Sequence, residues 1–564
     1  MIARADALAT LAAERFDVVV VGGGITGAGV ALDAASRGYS VALLERADYA
    51  SGTSSRSSKL VHGGLRYLRS FDLGLVREAL IERSLMVRLA PHLVRPLPLL
   101  VPFFEGRRRD ASMAAALNLY DVMASERRRR RTRPGRGGIE EAPDEHLWSP
   151  DRHRLIDGDE AVDLVPALAA RAPTSAFLFY DCQCDDARLV LSVLAEAERF
   201  GTVSANRCEV LGLIEEGERA AGVRARDVLT GAELEVRADR VVNATGVWAD
   251  RLRPEELHAE AEMPHIRPSR GTHVTVSAER LPLGAGVIVP AREGRSIFAL
   301  PWLGRTLIGT TDRDYEGPLD HVEPSADDVD YLLEATATFF GTDLDRDDLT
   351  GAYAGVRPLI STPDTKKSVD ISRRAELFET SSGLVTITGG KLTTWRRMAK
   401  LAVDRIVERD GRRAPCRTHE IPIGEPVEPE ALPDVEGVDD DARAALAARY
   451  GHEARRVLAI AASAPALARP IVAGLPDLAA EALHAVRHEQ AQGLADILLR
   501  RTRLGLLDAR SVCSPEVATD VASTVGAELG WDGERIRGEV DAWREEARAE
   551  GIAGPAEPVL ATAS

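Results

Sequence analysis

The strongest constraint on the fold is a glycine motif that follows a predicted strand and opens a predicted helix. Residues 16–21 form an apolar, valine-rich run, which is typical of a strand buried on both faces. The glycines that follow it, Gly22, Gly24 and Gly27, have the spacing of a dinucleotide-binding turn. The first permits the tight turn, the second lets a pyrophosphate approach the backbone, and the third allows close packing of helix on strand. The motif predicts a Rossmann-like α/β domain.

The next residues complete this unit. A small-residue helix is predicted over residues 28–37, Gly38 ends it, and residues 40–44 form a second strand. Glu45 closes that strand, 18 residues after Gly27. A carboxylate here suits the hydroxyls of an adenosine ribose and repels a 2'-phosphate. The pyrophosphate is expected at the N-terminus of the helix.

A polar loop over residues 54–68 follows shortly after Glu45. It contains four serines, the cations Arg56, Lys59 and Arg66, and a histidine beside two glycines. Because the loop begins near the predicted end of the nucleotide-binding unit, we interpret it as an active-site loop beside the reactive ring of a cofactor.

Two later segments repeat the pattern of a short buried strand followed by small residues. They are residues 238–248, with Ala-Thr-Gly after the strand, and residues 384–395, with Gly-Gly-Lys after the strand. Three such junctions in one chain indicate a cofactor that is contacted by discontinuous segments. This favours an extended cofactor such as FAD over a transiently bound nicotinamide.

Composition narrows the remaining function classes. The 564 residues suggest roughly two to four domains. The net charge is -17, from 71 basic and 88 acidic residues, which argues against a nucleic-acid binder. Five cysteines are too few for a disulfide scaffold and favour a reducing compartment. Cys182 and Cys184 have no second cluster at metal spacing, so we interpret them as ordinary thiols.

The sequence predicts a cytoplasmic protein that is either unattached or peripheral on the cytoplasmic face of the membrane. No apolar run approaches the roughly 18 residues that span a bilayer, and charged residues interrupt the N-terminus where a signal peptide needs an apolar core. Residues 97–104 are apolar and interrupted by prolines, and residues 107–109 and 127–131 are arginine-rich. These segments suggest contact with an anionic membrane surface. The alternative is a solvated loop.

Taken together, these segments resemble the FAD-dependent glycerol-3-phosphate dehydrogenases of the respiratory type, a family that is also similar to the glycerophosphate oxidases. The most specific match is residues 59–67, because the glycine motif alone does not separate this family from other flavin enzymes. The other segments occur in the order of the family: residues 20–27, 52–68, 180–189, 239–248, 301–312, 355–359, 388–395, 487–489 and 496–503.

The resemblance implies a fold, an activity and partners. The fold is α/β, with a Rossmann-like FAD-binding domain, an interleaved mixed-sheet substrate domain of the glutathione-reductase and amine-oxidase type, and a C-terminal helical domain. The expected reaction is oxidation of sn-glycerol 3-phosphate to dihydroxyacetone phosphate, with FAD as cofactor, a quinone as electron acceptor and no metal. A homodimer is a further expectation. Two alternatives are an oxidase that releases hydrogen peroxide and a flavin-binding subunit without this activity.

The resemblance also implies roles for individual residues. The substrate phosphate carries roughly -1.5 to -2 charges, so local cations must offset an acidic protein. Residues expected to bind it are Arg66, Tyr67 and Arg373, with Arg374 as the alternative to the last. Residues expected to take part in the chemistry are His273 as base or hydroxyl partner, His62 in the flavin pocket, Arg357 beside the developing ketone oxygen, and Lys391 near the flavin. Residues expected to contact FAD are Gly22, Gly24, Ile25, Thr26, Gly27, Glu45, Thr53, Ser54, Ser55, Ser58, Lys59, Leu60, His62, Gly63, Gly64, Ala244, Thr245, Gly246, Gly390, Lys391, Leu392 and Thr393.

These assignments divide the chain into parts. An oxidoreductase domain covers residues 1–415. Its FAD-binding pieces are expected at about residues 16–90, 181–250 and 346–415, and its substrate-binding pieces at about 91–180 and 255–345. Residues 416–440 are rich in proline and acids and are predicted to be a linker. A helical domain over residues 441–550 precedes a tail over 551–564. Its predicted core stripe contains Leu483, Val486, Leu494, Ile497 and Leu498.

Overall fold

The computed structural model describes residues 1–68, 72–106, 110–125, 150–255, 257–361 and 374–553. The side chains of Arg66, Tyr67, Ser125 and Glu293 lie outside this description. The strands are β1 Arg15–Val21, β2 Val41–Leu44, β3 Leu60–Val61, β4 Val94–Phe103, β5 Arg154–Asp157, β6 Ser175–Cys184, β7 Val203–Ala205, β8 Cys208–Glu216, β9 Arg219–Asp227, β10 Glu233–Asn243, β11 Ile266–Ser277, β12 Gly286–Pro290, β13 Ser296–Trp302, β14 Arg305–Gly309, β15 Arg313–Asp314, β16 Leu349–Ile360, β17 Ala375–Glu379 and β18 Val385–Gly389.

Helices flank both sheets and form the C-terminal part. They are α1 Arg4–Ala13, α2 Ile25–Ser36, α3 Leu73–Leu89, α4 Ala111–Ser125, α5 Gly158–Leu164, α6 Asp186–Arg199, α7 Ala326–Phe340, α8 Trp395–Arg409, α9 Asp440–Tyr450, α10 Ala454–Ala461, α11 Ala479–Glu489, α12 Leu504–Leu507, α13 Ala509–Val512, α14 Pro515–Leu529 and α15 Gly533–Ala549. A π-helix spans Asp496–Arg501.

The first sheet carries the predicted nucleotide-binding unit. Its strand order is β17-β18-β10-β1-β2-β7, and the pairs from β18 to β7 are parallel. Strands β8 and β9 extend the sheet from β10 as an antiparallel hairpin. The apolar run of β1 lies at the centre, with Val18, Val19 and Val20 fully buried. A strand covered on both faces explains why this segment lacks the alternation of a half-exposed strand.

The second sheet is mixed, as predicted for the substrate side. Its order is β15-β11-β14-β13-β12-β4-β6-β3, with β16 paired to β11 and β5 paired to β6. Only β12 and β4 pair in parallel among its described strands. The long β11–β16 pair brings residues that are about 80 positions apart side by side, such as His273 and Tyr353.

The second sheet contains two segments that the sequence analysis interpreted differently. Strands β3 and β16 belong to it, although both fall within pieces that we assigned to the FAD-binding side, because strand pairing rather than chain order sets sheet membership. The apolar segment at residues 97–104 was interpreted as a candidate membrane contact. It lies largely in β4, where Leu97, Leu99 and Leu100 are buried. Those leucines cover the core and are not available to lipid.

The C-terminal helices pack around one apolar core. Leu494, Ile497 and Leu498 of the predicted stripe are fully buried, Leu483 is nearly so, and Val486 packs partly against them. The predicted linker at residues 416–440 is irregular but packed, since Leu432 and Val438 are buried in the same core. This domain also contacts the second sheet, where the Thr275 hydroxyl donates to the Leu506 carbonyl over 2.7 Å.

Candidate functional site

A cavity of about 390 Å³ lies at the C-terminal ends of the parallel strands β1, β10 and β18. Ligands of open α/β sheets bind at this edge, since the loops there leave a crevice. The predicted residues that line it are Gly22, Gly24, Ile25, Thr26, Glu45, Thr53, Ser54, Ala244, Thr245, Gly246, Gly390, Lys391 and Leu392. All three strand-to-glycine junctions therefore meet at one cavity.

The glycine turn fits a dinucleotide because the backbone approaches closely on each side. Gly22 has φ +110°, and a Cβ on it would lie 2.7 Å from the Ala244 carbonyl oxygen. A Cβ on Gly27 would lie only 1.9 Å from the Gly22 carbonyl oxygen. Gly24 caps the N-terminus of α2 and borders the cavity. A pyrophosphate there meets the positive end of the helix.

Glu45 lines the cavity at the end of β2, as the spacing predicted. Its carboxylate accepts hydrogen bonds from the backbone N–H groups of Gly23, at 2.7 Å, and Ala47, at 2.8 Å. Burial raises the pKa of Glu45, while these two hydrogen bonds oppose that shift. Ser54 also lines the cavity, and its hydroxyl oxygen accepts a hydrogen bond from the Ile25 N–H at 2.9 Å.

Much of the loop at residues 54–64 lies outside the lining of this cavity, so the predicted contacts of these residues with the cofactor stay predictions. The Lys59 ammonium is fully buried and pairs with the Asp186 carboxylate, at 2.8 Å. Ser55 supports this pair, since its carbonyl accepts from the same ammonium at 2.6 Å. The other predicted contacts that lie outside the lining are Gly27, Ser58, Leu60, His62, Gly63, Gly64 and Thr393. Within the loop, the Lys59 side chain ends on Asp186 and not in the cavity.

The second half of the loop lies against α3 and α4. The Gly63 N–H donates to Asp181 at 3.1 Å, and this carboxylate also accepts from the Tyr120 hydroxyl at 2.7 Å and from Arg83. A Cβ on Gly63 would lie 2.3 Å from the Tyr120 hydroxyl oxygen. Next to it, the His62 N–H donates to the Thr393 hydroxyl at 3.1 Å. Thr393 follows Leu392, so His62 lies beside the segment that forms one wall of the cavity.

His273 lies on β11 and is almost completely buried, with 2% of its surface exposed. Its Nε2 shares a hydrogen bond with the Ser58 hydroxyl at 2.8 Å, and its ring stacks on Tyr353 at 4.8 Å between centroids. Burial lowers the pKa of His273 well below 6.5, and the cations Lys59 and Arg357 lower it further. The imidazole is therefore neutral at physiological pH.

The predicted cations Arg357 and Lys391 approach the cavity from different motifs. Lys391 lines it directly, and Arg357 precedes Pro358, which also lines it. The Arg357 guanidinium donates to the Thr310 hydroxyl at 3.0 Å and to the Thr311 carbonyl at 3.2 Å. These contacts join residues 301–312 to residues 355–359, two segments that the resemblance treated separately.

The residues predicted to bind the substrate phosphate lie outside the part of the chain that the structure describes. This holds for the side chains of Arg66 and Tyr67 and for all of Arg373. Arg374, the alternative, pairs with Asp72 at 2.7 Å and has a side chain that is 61% exposed. The arginine-rich segments at residues 107–109 and 127–131 also lie outside the described residues.

Sequence reasoning missed one side of the cavity. The start of β8, from Cys208 to Leu211, lines it together with Arg46 and Trp248. The Arg46 guanidinium lies 5.2 Å from the centre of the Trp248 ring. No local motif marks the β8 segment, because its backbone reaches the cavity through the hairpin with β9. Trp248 could have been found, since it ends the second strand-to-glycine junction.

No group of three or more histidine, cysteine or acidic side chains in the described part of the chain is arranged to hold a metal ion. No helix in the same part of the chain has the length and the apolar content that crossing a bilayer requires. Cys182 is buried, which raises its pKa to about 12, so it is a protonated thiol.

Comparison with known proteins agrees with this geometry. Residues 17–405 match the family model described as FAD dependent oxidoreductase, and residues 385–536 match the C-terminal domain of alpha-glycerophosphate oxidase. Glycerol-3-phosphate dehydrogenase 2 of Mycobacterium tuberculosis is 39% identical over 549 residues, which cover 95% of this chain and 89% of that protein. The chain belongs to the FAD-dependent glycerol-3-phosphate dehydrogenase family.

Other members of the glycerol-3-phosphate dehydrogenase family extend the comparison. A mitochondrial enzyme of Arabidopsis thaliana is 35% identical over 574 residues, covering 95% of this chain and 87% of that protein. The crystal structure of a glycerol-3-phosphate dehydrogenase from Bacillus halodurans in complex with FAD has a TM-score of 0.75, with 28% identity and 99% of each chain covered. FAD is the cofactor that this family shares, and the cavity with its glycine turn fits it.

Proposed function

We propose that the protein oxidises sn-glycerol 3-phosphate to dihydroxyacetone phosphate. FAD, held by the residues that line the cavity, would supply the acceptor for the hydride that leaves C2 of the substrate. The observation that carries the proposal is a cofactor cavity that has Lys391 in its lining and Arg357 next to the lining residue Pro358. A protein of net charge -17 needs such a cluster to attract a phosphate ester. The names of relatives that match 95% of the chain support the same substrate.

Arg357 is suited to the developing ketone oxygen. The Thr310 hydroxyl and the Thr311 carbonyl fix its guanidinium. A cation fixed before the reaction stabilises charge that develops in the transition state without reorganising. We assign Lys391 to negative charge on the substrate or the cofactor, and Arg66, Tyr67 and Arg373 to the substrate phosphate. An arginine fork binds phosphate through charge-assisted hydrogen bonds worth about 1.5–3 kcal/mol each.

The hydroxyl proton of the substrate requires a base, and the structure bears on the choice between two histidines. His273 is buried and held by Ser58, and the cations that lower its pKa make it a weak proton acceptor. His62 is half-buried and adjoins Thr393 beside the cavity wall. We therefore propose His62 as the base and His273 as a residue that positions the loop. This reverses the preference drawn from the sequence.

The base assignment is tested with His62→Gln and His273→Gln. Loss of a general base is expected to lower the limiting rate of flavin reduction by about 100- to 10,000-fold. We expect this loss in His62→Gln, with a smaller loss in His273→Gln, measured by anaerobic stopped-flow absorbance. The opposite order would return the base to His273, and an unchanged rate in both variants would exclude a histidine base.

The reaction itself is tested with the purified flavoprotein under anaerobic conditions. We expect sn-glycerol 3-phosphate to bleach the flavin absorbance and to yield one dihydroxyacetone phosphate per flavin. Glycerol is the matched control, because it offers the same secondary alcohol without the phosphate. No bleaching by glycerol 3-phosphate would refute the proposal and would favour a flavin-binding subunit without this activity.

We propose a quinone as the electron acceptor and peripheral binding to the cytoplasmic face of the membrane, where quinones are dissolved. The basic segments at residues 107–109 and 127–131 support a membrane contact, because each cation near anionic lipid gains about 1 kcal/mol. Reduction of a soluble quinone analogue, with little peroxide released in air, is expected. One peroxide per turnover would instead identify an oxidase.

Sedimentation with vesicles that contain anionic lipid tests the membrane contact, and analytical ultracentrifugation tests the expected homodimer.

A further inference from the structure

The C-terminal domain reaches the active-site loop through one buried arginine. Arg503 follows the π-helix, and its guanidinium pairs with the Asp186 carboxylate at the start of α6. The same carboxylate pairs with Lys59 of the loop, at 2.9 Å and 2.8 Å from its two oxygens. Arg503, Asp186 and Lys59 are all completely buried. Three segments far apart in sequence therefore converge on one carboxylate.

Asp186 also holds the loop backbone. It accepts from the Ser57 hydroxyl at 2.7 Å and from the Ser57 N–H at 3.1 Å. The Ser57 hydroxyl oxygen in turn accepts from the Lys59 N–H at 3.0 Å. Ser58 lies between Ser57 and Lys59 in the sequence, and its hydroxyl shares a hydrogen bond with His273. A chain of contacts thus leads from the C-terminal domain through Asp186 to the imidazole.

Aromatic rings close the other side of this arrangement. The Tyr353 hydroxyl donates to the Ser57 carbonyl at 2.7 Å, and the Tyr353 ring stacks on His273. The Lys59 ammonium lies 4.7 Å from the centre of the same ring. The loop segment at residues 57–59 is consequently fixed by Asp186 on one side and by Tyr353 on the other.

The backbone at both cations supports a requirement for these contacts. Lys59 has φ +59° and Arg503 has φ +69°, in the left-handed region that side chains with a Cβ disfavour. Such conformations are strained and persist only where surrounding contacts determine them. At both positions the side chain ends on the same carboxylate of Asp186.

We propose that Arg503 is a positioning residue for the oxidation: by sharing Asp186 with Lys59, it holds residues 57–59, the part of the loop that leads directly to His62. The C-terminal helical domain is then a structural part of the active site and contributes through this contact. The inference rests on the proposed function for its catalytic consequence, whereas the contact itself has a readout that needs no substrate.

The test compares Arg503→Met with Arg500→Met. Each variant removes one of two cations from a buried carboxylate at the boundary between the same two domains. Asp186 keeps Lys59 in the first variant, and Asp48 keeps Arg501, at 2.8 Å, in the second. Each variant also removes one further contact, since Arg503 Nε lies 3.2 Å from Asp185, and Arg500 pairs at 2.7 Å with Asp496, which keeps Arg207. Both variants therefore retain a cation on the shared carboxylate, and they differ in whether that carboxylate holds the loop and in the loss of the Asp185 pair. Asp185→Asn, which removes that pair and keeps the contact between Arg503 and Asp186, separates the two contributions. Arg503→Lys restores the charge with a single contact and serves as the conservative variant.

Two measurements are made on the holoenzymes. The first is hydrogen exchange of the peptide that covers residues 54–64, and we expect it to be about tenfold faster in Arg503→Met and unchanged in Arg500→Met. The second is the limiting rate of anaerobic flavin reduction by glycerol 3-phosphate. We expect a loss of about 10- to 100-fold in Arg503→Met, with normal FAD content, because small misplacements have effects of this size. Arg503→Lys should recover part of both.

The outcomes separate this inference from the proposed function. If glycerol 3-phosphate does not reduce the wild-type flavin, the proposed function fails. If the wild type is reduced but Arg503→Met matches Arg500→Met in loop exchange or in the rate, the positioning role of Arg503 is overturned. If Arg503→Met does not fold, the same two comparisons made with Arg503→Lys decide the matter, because a residue without a positioning role should tolerate lysine with no change in either measurement.

Discussion

The cofactor cavity and the loop at residues 54–64 are built from similar residues, glycines and small hydroxyl side chains, but they are held in different ways. The cavity depends on backbone that approaches closely at the ends of neighbouring parallel strands, as at Gly22 and Gly27. The loop depends on two buried carboxylates from one segment. Asp186 holds Ser57 and Lys59, and Asp181 holds Gly63. Added volume at Gly22 or Gly27 should therefore disrupt the cavity, and loss of Asp186 or Asp181 should disrupt the loop.

The largest expected effect is on the cavity. Gly27→Ala places a Cβ where the Gly22 carbonyl oxygen lies 1.9 Å away, and this oxygen is a backbone atom that cannot move aside as the end of a flexible side chain could. We expect the variant to lose FAD entirely or to fail to fold. The flavin-to-protein absorbance ratio and the thermal unfolding midpoint measure the effect.

Gly538→Ala is the matched control for the cavity variant. Gly538 lies within α15, and a Cβ there would have no neighbour within 4 Å. Alanine is expected to stabilise this helix by about 0.5–1 kcal/mol and to leave FAD content unchanged. A Gly27→Ala protein that retained full FAD would show that the turn adapts and that close packing does not define the site.

The same comparison explains what the sequence could predict. The glycine turn, Glu45 and the two later junctions are each encoded within a few neighbouring residues, so their meeting at one cavity was predicted. The position of Lys59 was not predicted, because its partner Asp186 lies 127 positions further along the chain. Arg503, which shares this carboxylate, lies another 317 positions beyond Asp186. The membership of β16 in the second sheet was missed for the same reason. Contacts of that range leave no periodicity and no spacing in the local sequence.

A smaller effect is expected when the loop loses one of its carboxylates. Asp181→Ala removes the acceptor of Gly63 and Tyr120 and leaves the buried Arg83 guanidinium without this carboxylate. Breaking a buried pair in this way costs about 3–5 kcal/mol, so the free energy of unfolding should fall by that amount. The rate of flavin reduction should also fall, because Gly63 adjoins His62. Chemical denaturation and stopped-flow absorbance measure the two effects.

Asp239→Ala is the control for the loop variant. Asp239 pairs with Arg15 at 2.7 Å, but both side chains are about half exposed. Such pairs contribute about 0–1 kcal/mol, so little change is expected. Asp181→Asn keeps an acceptor for Gly63 and should fall between the two. Equal stabilities of Asp181→Ala and Asp239→Ala would show that the loop does not depend on its buried charge.

The smallest effect concerns the dependence of stability on pH. The pKa of His273 is lowered well below 6.5 in the folded protein, so in mildly acidic solution the unfolded chain binds a proton that the folded one does not. Its contribution is fully present above about pH 6.5 and is lost as the pH falls, with a slope of up to about 1.4 kcal/mol per pH unit. We expect His273→Gln to lose less stability than the wild type between about pH 7 and pH 5.

His92 and His484, whose pKa values are lowered to about 4, add acid sensitivity of the same sign and remain in the variant. Urea denaturation at several pH values with saturating FAD measures the difference, and His258→Gln, at an exposed histidine, should follow the wild type. If the free energy of unfolding depended on pH in the same way for His273→Gln and the wild type, the imidazole would not be buried between Ser58 and Tyr353. The loop would then be accessible to solvent, as the cavity is.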